Sequence, residues 1–180
     1  MYATLFSFEP LHIALLSLFG FMALIQLFYY FRFYRRASRY KSEKKEISNG
    51  LPPLSVVICA RNESPNLQAF LPTVLEQDYP QFEVVVVNDC SEDDTDIVLE
   101  QMQKKYPHLK VSTIQQDTHF SHSKKLPMLI GIKAAKNDLL VFTDADCKPA
   151  TDKWLASVAE GYGRGADIIL GYGAYMSRKG

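Results

Sequence analysis

Glycine is scarce in this chain and poorly spaced for a nucleotide loop. Its 9 glycines form neither Gly-x-Gly-x-x-Gly nor a Walker-type Gly-x-x-x-x-Gly-Lys. Dinucleotide and P-loop readings therefore lack the residues that let a backbone approach a phosphate. Cysteine is scarcer still. Cys59, Cys90 and Cys147 are odd in number and lack the paired spacing of a zinc site, which points to reduced thiols in a cytosolic compartment. Net charge is absent, with 20 basic residues against 20 acidic ones. The balance is uneven along the chain, because Arg32, Arg35, Arg36, Arg39, Lys41, Lys44 and Lys45 cluster in one short stretch. Removing those seven leaves 13 basic residues from Leu51 onward against 17 acidic ones, only Glu9, Glu43 and Glu46 lying earlier. A mildly acidic globular part argues against nucleic acid as a partner. There is no internal repeat or low-complexity tract.

What is present begins with Ile13 to Phe31, 19 residues without a charge. As a helix these span about 28 Å at about 1.5 Å per residue, close to the hydrocarbon thickness of a bilayer. Gln26 is the only strongly polar member. Aromatic residues crowd the far end (Tyr29, Tyr30, Phe31, Phe33, Tyr34), with Phe6 and Phe8 near the other, as interfacial belts do. A cleaved signal peptide carries its basic residues before the apolar run and small residues after it. Here Arg32 is the first basic residue, and bulky aromatics come after the run. The pattern predicts an uncleaved single-pass anchor whose basic C-terminal flank lies in the cytoplasm and can touch anionic headgroups.

Ser38 to Pro53 is a polar linker, so residues 1–50 read as anchor and linker and 51–180 as the globular part. Beyond the linker, β and α patterns alternate. Ser55–Ala60, Phe82–Asn88, Val111–Ile114, the run from Leu139 and Ile168–Tyr172 read as strands. Leu67 to Leu75, Thr95–Tyr106, Lys124–Ala135 with Pro127 in its first turn, and Trp154–Tyr162 read as helices. Buried strands alternating with helices predict an α/β fold with a mostly parallel, doubly wound sheet, preceded by one transmembrane helix.

The strand from Leu139 ends in Asp144-Ala145-Asp146-Cys147. Two acids where a buried strand emerges are costly unless a positive charge sits between them, and Mg²⁺ or Mn²⁺ suits carboxylate oxygens. In an open α/β sheet the ligand lies beyond the carboxyl ends of the strands. Those ends here are Arg61-Asn62-Glu63, Asn88-Asp89-Cys90-Ser91 and Asp144-Ala145-Asp146, all polar where packing does not require it. Ser91 and Thr95 read as helix-capping residues, whereas Asp89, at a strand tip, does not. His119 and His122 lack a third ligand and read as loop residues. Trp154, Tyr162, Tyr172 and Tyr175 read as core and rim.

The segments SVVICARNE, QDYPQFEVVVVNDCSEDDT, a Lys-bearing helix and LLVFTDADCKP, in that order and spacing, resemble the family-2 glycosyltransferases of GT-A fold from Leu51 to about Tyr175. The family's Asp-Asp-Gly-Ser stands here as Asn88-Asp89-Cys90-Ser91, and its Gly-Lys helix opening as Ser123-Lys124. The Ala-Leu-Asn before the helix glycine is replaced by Pro127-Met128-Leu129 ahead of Gly131. The resemblance implies an inverting, metal-dependent transferase using a nucleotide-diphospho-sugar, a UDP-sugar being favoured, with an unspecified glycan or lipid acceptor. On it, Asp146 with Asp144 holds Mg²⁺ or Mn²⁺ and the ribose–diphosphate, Asp89 faces the base, Glu63 bonds the ribose or base edge, and Lys124 pairs with a phosphate. The family's general base and its Gln-x-x-Arg-Trp-type motif lie well beyond the Asp-x-Asp segment, and neither is found before Gly180. These 180 residues are therefore expected to be the donor-binding half, with the catalytic base unassigned.

Two other readings compete. A non-catalytic nucleotide-sugar-binding module shares every one of these residues. A haloacid-dehalogenase-type phosphatase also carries Asp-x-Asp after a buried strand, but wants Thr or Val two residues past the second Asp, where Lys148 stands, and opens its domain with the motif. The cluster of basic residues after Phe31 makes one expectation testable at once. A reporter enzyme fused after Gly180 is expected to be active on the cytoplasmic side; activity on the opposite side refutes the orientation, and loss of the first 40 or so residues from the mature chain restores the signal peptide.

Overall fold

The computed structural model describes residues 9–35, 50–115, 125–162 and 166–175. The chain divides into two compact units, Met1–Lys44 and Lys45–Gly180. In the first, helix α1 (Pro10–Tyr29) starts on a proline at its first position, where no N–H is lost, and continues as one π-helical turn over Tyr30–Tyr34. The continuous segment Pro10–Tyr34 is long and apolar enough to cross a membrane. Its large apolar side chains are exposed on all sides. The Ser17 hydroxyl is satisfied inside the helix, donating to the Ile13 carbonyl at 2.8 Å.

The second unit is a four-stranded parallel sheet in the order β3-β2-β1-β4, where β1 is Leu54–Ala60, β2 Phe82–Asp89, β3 Leu109–Ile114 and β4 Leu139–Asp144. Helices α2 (Ser64–Leu75), α3 (Thr95–Lys105), α4 (Lys125–Ala134) and α5 (Trp154–Tyr162) complete it. Alternation along the strands supplies two apolar faces. Leu54, Val56, Ile58 and Ala60, with Val84, Val86 and Val141, meet Leu67, Leu71 and Val74 of α2, Val98 and Leu99 of α3, and Leu155 and Ala159 of α5. The opposite face takes α4, which can approach closely because residue 131 is glycine. A Cβ there would stand 2.4 Å from Val57 Cγ1 and 3.3 Å from Val87 Cγ2.

This winding locates a crevice. From β1 the chain steps outward through β2 to β3, then crosses back over the other face, through α4, to place β4 on the far side of β1. The strand order reverses between β1 and β4, so the ends of these two strands flank the position at which open α/β sheets bind ligands.

The predicted α/β, doubly wound parallel sheet is the one observed, and the strand expected at Val111 begins two residues earlier, at Leu109. One predicted strand is absent. Ile168–Tyr172 pairs with no strand among the described residues, and Ile168, Leu170 and Tyr172 are 80%, 91% and 94% exposed. Only Ile169 turns inward, its side chain filling the notch that Gly161 leaves on α5. The alternation is real but is satisfied by a helix end, so no ladder forms. Tyr172 and Tyr175, expected in the core or at its rim, are fully solvated. Trp154 does pack against the core, and the Tyr162 hydroxyl donates to the Leu140 carbonyl at 3.3 Å.

At the end of the sheet opposite the crevice a carboxylate sits among valines. Glu83 on β2 is 1% exposed. Its Oε1 accepts from the Ser55 hydroxyl of β1 (2.7 Å) and the Lys136 N–H (2.6 Å), and its Oε2 meets the Lys110 ammonium of β3 at 2.8 Å. Asn137 adds bonds from Nδ2 to the Leu54 carbonyl (2.9 Å) and to Ser55 Oγ (3.1 Å). This group ties three strands and the α4–β4 loop together. Burial acts to raise the Glu83 pKa, but the bonds from Lys110, Ser55 and Lys136 outweigh it and hold the carboxyl below its usual range. A carboxyl depressed in the folded state stabilises the fold fully above the ordinary glutamate range and less as the pH falls through its own lower one. Glu83→Ala is expected to lose about 3 kcal/mol near neutral pH, since it orphans the buried Ser55 hydroxyl and the partly buried Lys136 N–H. It should also flatten the acid limb of a thermal-unfolding series between about pH 3 and 7; an unchanged acid limb rules out the carboxylate as the source.

Candidate functional site

Three polar loops leave the carboxyl ends of β2, β1 and β4 side by side. The parallel register sets Ala60 opposite Asn88 and Cys59 opposite Asp144. Arg61-Asn62-Glu63, Asp89-Cys90-Ser91 and Asp144-Ala145-Asp146 therefore form one edge, as the sequence predicts. Glu63 and Asp89 are half-buried there, whereas Asp144 and Asp146 are exposed. Lys124, His119 and His122 lie outside the described residues.

The β1 and β2 loops are bonded to each other. Asn62 donates its N–H to Ser91 Oγ (2.9 Å), and its Oδ1 accepts the Glu92 N–H (2.8 Å). The Glu63 N–H reaches Thr95 Oγ1 at 3.1 Å and the Ser64 N–H reaches Asp93 Oδ2 at 3.1 Å. Beneath them, fully buried Asn88 accepts from Ser91 Oγ and donates to Asp96 Oδ1, both at 2.5 Å. Burial would raise the Asp93 carboxyl, but the bonds it accepts from Thr95 and Ser64 prevail and lower it. The Glu63 carboxylate is held in turn by Asn66 Nδ2 at 2.6 Å.

Ser91 and Thr95 are thus not the caps that the sequence suggests. The cap position of α3 is Asp94, whose side chain makes no capping bond, while Asp93 Oδ1 accepts the Thr95 N–H at 3.1 Å. Both hydroxyls are drawn across to the neighbouring loop, where Asn62 and Glu63 offer N–H groups. Sequence reasoning placed Asn62 at a strand end but missed its part in joining the loops. Its signal was available, because asparagine is among the few residues that accept the left-handed conformation, and its φ here is +54°. Cys90 takes φ +52°, a conformation a glycine would adopt without strain. Its Sγ lies 3.3 Å from the Ile114 carbonyl, and burial together with the adjacent Asp89 raises its thiol pKa.

At β4 the chain turns immediately after the strand, the Cys147 N–H donating to the Asp144 carbonyl at 3.1 Å. Ala145 is buried and anchors the turn, and Asp144, Asp146 and Cys147 are exposed around it. One ligand atom from each lies within 4.8 Å of the others, the one such group of three among the described residues. The two acids therefore converge, because the strand gives way to a turn. Desolvation of the sulfur, then the neighbouring Asp146, push the Cys147 thiol upward. The donor set fits a divalent ion, since convergent carboxylates are ordinary ligands for Mg²⁺ or Mn²⁺. The segment after the turn is fixed by Gln77, whose Nε2 donates to the Thr151 carbonyl (2.9 Å) and whose Oε1 accepts the Leu155 N–H at the start of α5 (3.2 Å).

Comparison with known proteins bears on the family and the fold. The profile of glycosyl transferase family 2 matches residues 55–176. Glycosyltransferase AglE of Haloferax volcanii is 32% identical over 128 residues, covering 69% of this chain and 40% of the relative. The mannosyltransferase PcManGT of Pyrobaculum calidifontis, solved in complex with GDP-Man and Mn²⁺, superposes with a TM-score of 0.61 at 25% identity over 78% of this chain and 40% of its own. A fragment of Staphylococcus aureus TarS in complex with UDP-GlcNAc gives 0.51 at 29% identity over 59% and 30%. The chain thus spans well under half the length of these relatives.

The bonded loops make a prediction about Asn62. Asn62→Ala is expected to lower stability by about 2 kcal/mol, since it removes the acceptor for Glu92 and leaves a side chain at positive φ that prefers negative. Asn62→Gly removes the same acceptor but relieves the backbone, and should be less damaging by about 1 kcal/mol. Equal losses in urea unfolding would show that the backbone conformation contributes nothing.

Proposed function

We propose, on the premise that this chain belongs to glycosyl transferase family 2, that it binds a nucleotide-diphospho-sugar along the carboxyl edge of β2, β1 and β4. In this reading it is the donor-binding part of a membrane-anchored, metal-dependent glycosyltransferase. The supporting observation is the lateral alignment of Asp89, Glu63 and Asp144-Ala145-Asp146 on three adjacent parallel strands around the point where the strand order reverses. A uridine diphosphate laid along that edge would set its base by Asp89, its ribose between Glu63 and Asp144, and its diphosphate beside Asp146. Asp89 accepts the imide N–H of uracil, and Lys124 supplies a point charge to a phosphate. The binding loops are held by their mutual bonds before any ligand arrives, which limits the ordering a donor must bring about.

Asp144 and Asp146 would hold a Mg²⁺ or Mn²⁺ ion. When bound, that ion supplies positive charge against the diphosphate as it leaves the sugar. The acceptor, glycan or lipid, and the base that deprotonates it have no assignment among these residues. Residues 1–50 serve as anchor and linker and 51–180 as the nucleotide-sugar-binding part, on the cytoplasmic side, a reading supported by the basic residues that follow Phe31 in the sequence. A haloacid-dehalogenase-type phosphatase is disfavoured, since Asp144 closes the fourth strand of the unit and not the first.

Titration calorimetry with UDP tests the assignment. UDP affinity is expected to rise when Mn²⁺ replaces EDTA, and by linkage the ion's affinity rises equally with UDP. Asp146→Asn should remove most of that coupling, about 1–3 kcal/mol, while leaving metal-free UDP binding little changed. Asp89→Asn should weaken UDP with or without the ion. If Asp146→Asn binds UDP with Mn²⁺ as well as the parent does, the assignment fails.

A further inference from the structure

We propose that the outward face of α4 docks on the surface of an anionic lipid bilayer, a proposal that rests on the membrane-anchored part of the reading above. A helix laid on a sheet ordinarily turns apolar residues to the sheet and polar ones to water. Helix α3 does so, exposing Asp96, Glu100, Gln103 and Lys104. From Lys125 to Lys136 the exposed positions are instead Lys125, Met128, Leu129, Ile132, Lys133 and Lys136. Steps of three and four residues make the helical members one stripe, with Lys136 just past the helix end. Met128, Leu129 and Ile132 are 41%, 55% and 37% exposed, although buried Pro127 and Gly131 already seat the helix on the sheet.

The apolar area continues beside the helix. Gly131 stands over Val57 of β1, and the parallel register pairs Val57 with Phe142 of β4 on the same face of the sheet. Because α4 lies over β1, β2 and β3, it leaves this face of β4 open, and Phe142 is 46% exposed there.

Charge decides what covers this face. The stripe carries an ammonium at each end, and no acid lies between Asp117 and Asp138. A second copy of the chain would set Lys133 against Lys133 in parallel contact, and Lys125 against Lys133 in antiparallel contact. Self-association is therefore opposed in either sense. An anionic leaflet offers both complements at one depth, headgroups for the lysines and acyl chains for Met128, Leu129 and Ile132. A helix this short gives only a weak contact by itself. Anchoring through Pro10–Tyr34 makes the contact intramolecular, so one too weak to recruit the protein from solution can still form.

The experiment reconstitutes the full chain into vesicles of phosphatidylcholine, alone or mixed with phosphatidylglycerol, with bromine on the acyl chains as a fluorescence quencher. Trp154, the one native tryptophan, packs against the core on the other face of the sheet and supplies the background. In phosphatidylglycerol vesicles the fluorescence added by Leu129→Trp is expected to be quenched at least about twofold, and that added by Gln103→Trp on α3 hardly at all. Lys133→Gln/Lys136→Gln in the Leu129→Trp chain should restore most of the emission, as should high salt. Quenching no greater at position 129 than at 103, or equally strong in phosphatidylcholine alone, overturns the proposal. Blue-shifted but unquenched emission from Leu129→Trp also overturns it, since protein then covers the face. Flotation of the parent with vesicles in high salt tests the anchor separately, because the lysines are screened there. A parent that floats while Leu129→Trp stays unquenched keeps the anchored reading and overturns the docking. A parent left behind in high salt, with Leu129→Trp quenched at low salt, overturns the anchored reading and supports the docking.

Discussion

Parallel pairing of β1 with both β2 and β4 governs most of the architecture of this chain. A parallel neighbour cannot be reached by a hairpin, so each connection must cross the sheet and bury a helix against it. The consequence is a division of labour between the two ends of the strands. All strand-to-helix loops emerge at one end, and all helix-to-strand loops at the other. The second end is fastened by Glu83, Ser55, Lys110 and Asn137, whose bonds link three strands to the loop that precedes β4. With the register fixed there, the first end can carry polar residues that contribute nothing to the core.

Much of this was legible in the chain itself. Apolar runs such as Val84 to Val87 identify strands buried on both faces, and alternation of strands with helical spacings gives the doubly wound class. The polar tips were legible too, since Asp89 and Asp144 stand where an apolar run stops. What escaped was the bonding between loops. Ser91 and Thr95 are capping residue types, and no local rule distinguishes a hydroxyl that caps its own helix from one drawn to a neighbouring loop. That choice depends on the pairing of Ala60 with Asn88, which is tertiary. Glu83 was hidden for a similar reason, because a single acid in a valine run has no visible partner until β1 and β3 are laid beside it. Ile168–Tyr172 failed in the opposite sense, its period of two matching a strand although its one inward residue packs under Gly161.

The family relationship and the geometry bear on different questions. Family membership accounts for the order of the segments, and the departures from the family pattern fall at defined places on the edge. Cys90 stands where the resemblance implies glycine, and its positive φ shows that the backbone has kept the glycine conformation despite the side chain. Cys147 falls just past the acid pair, where the turn brings its sulfur within 4.8 Å of a carboxylate oxygen from each acid. Neither departure alters the fold. Each alters the chemistry available at one strand end.

The bonds between the Asn62 and Ser91 loops have an evolutionary meaning as well. Because Asn62 both gives an N–H to one loop and takes one from it, neither loop can drift alone without leaving a polar group unmet. Only the side chains of Asn62 and Ser91 enter these bonds, so replacement is expected to be constrained at positions 62 and 91 and not at 92, which offers only its backbone N–H. The half-buried acids Glu63 and Asp89, carried within those loops, would then be inherited together with those two positions, while the acid turn after β4 lies outside that block.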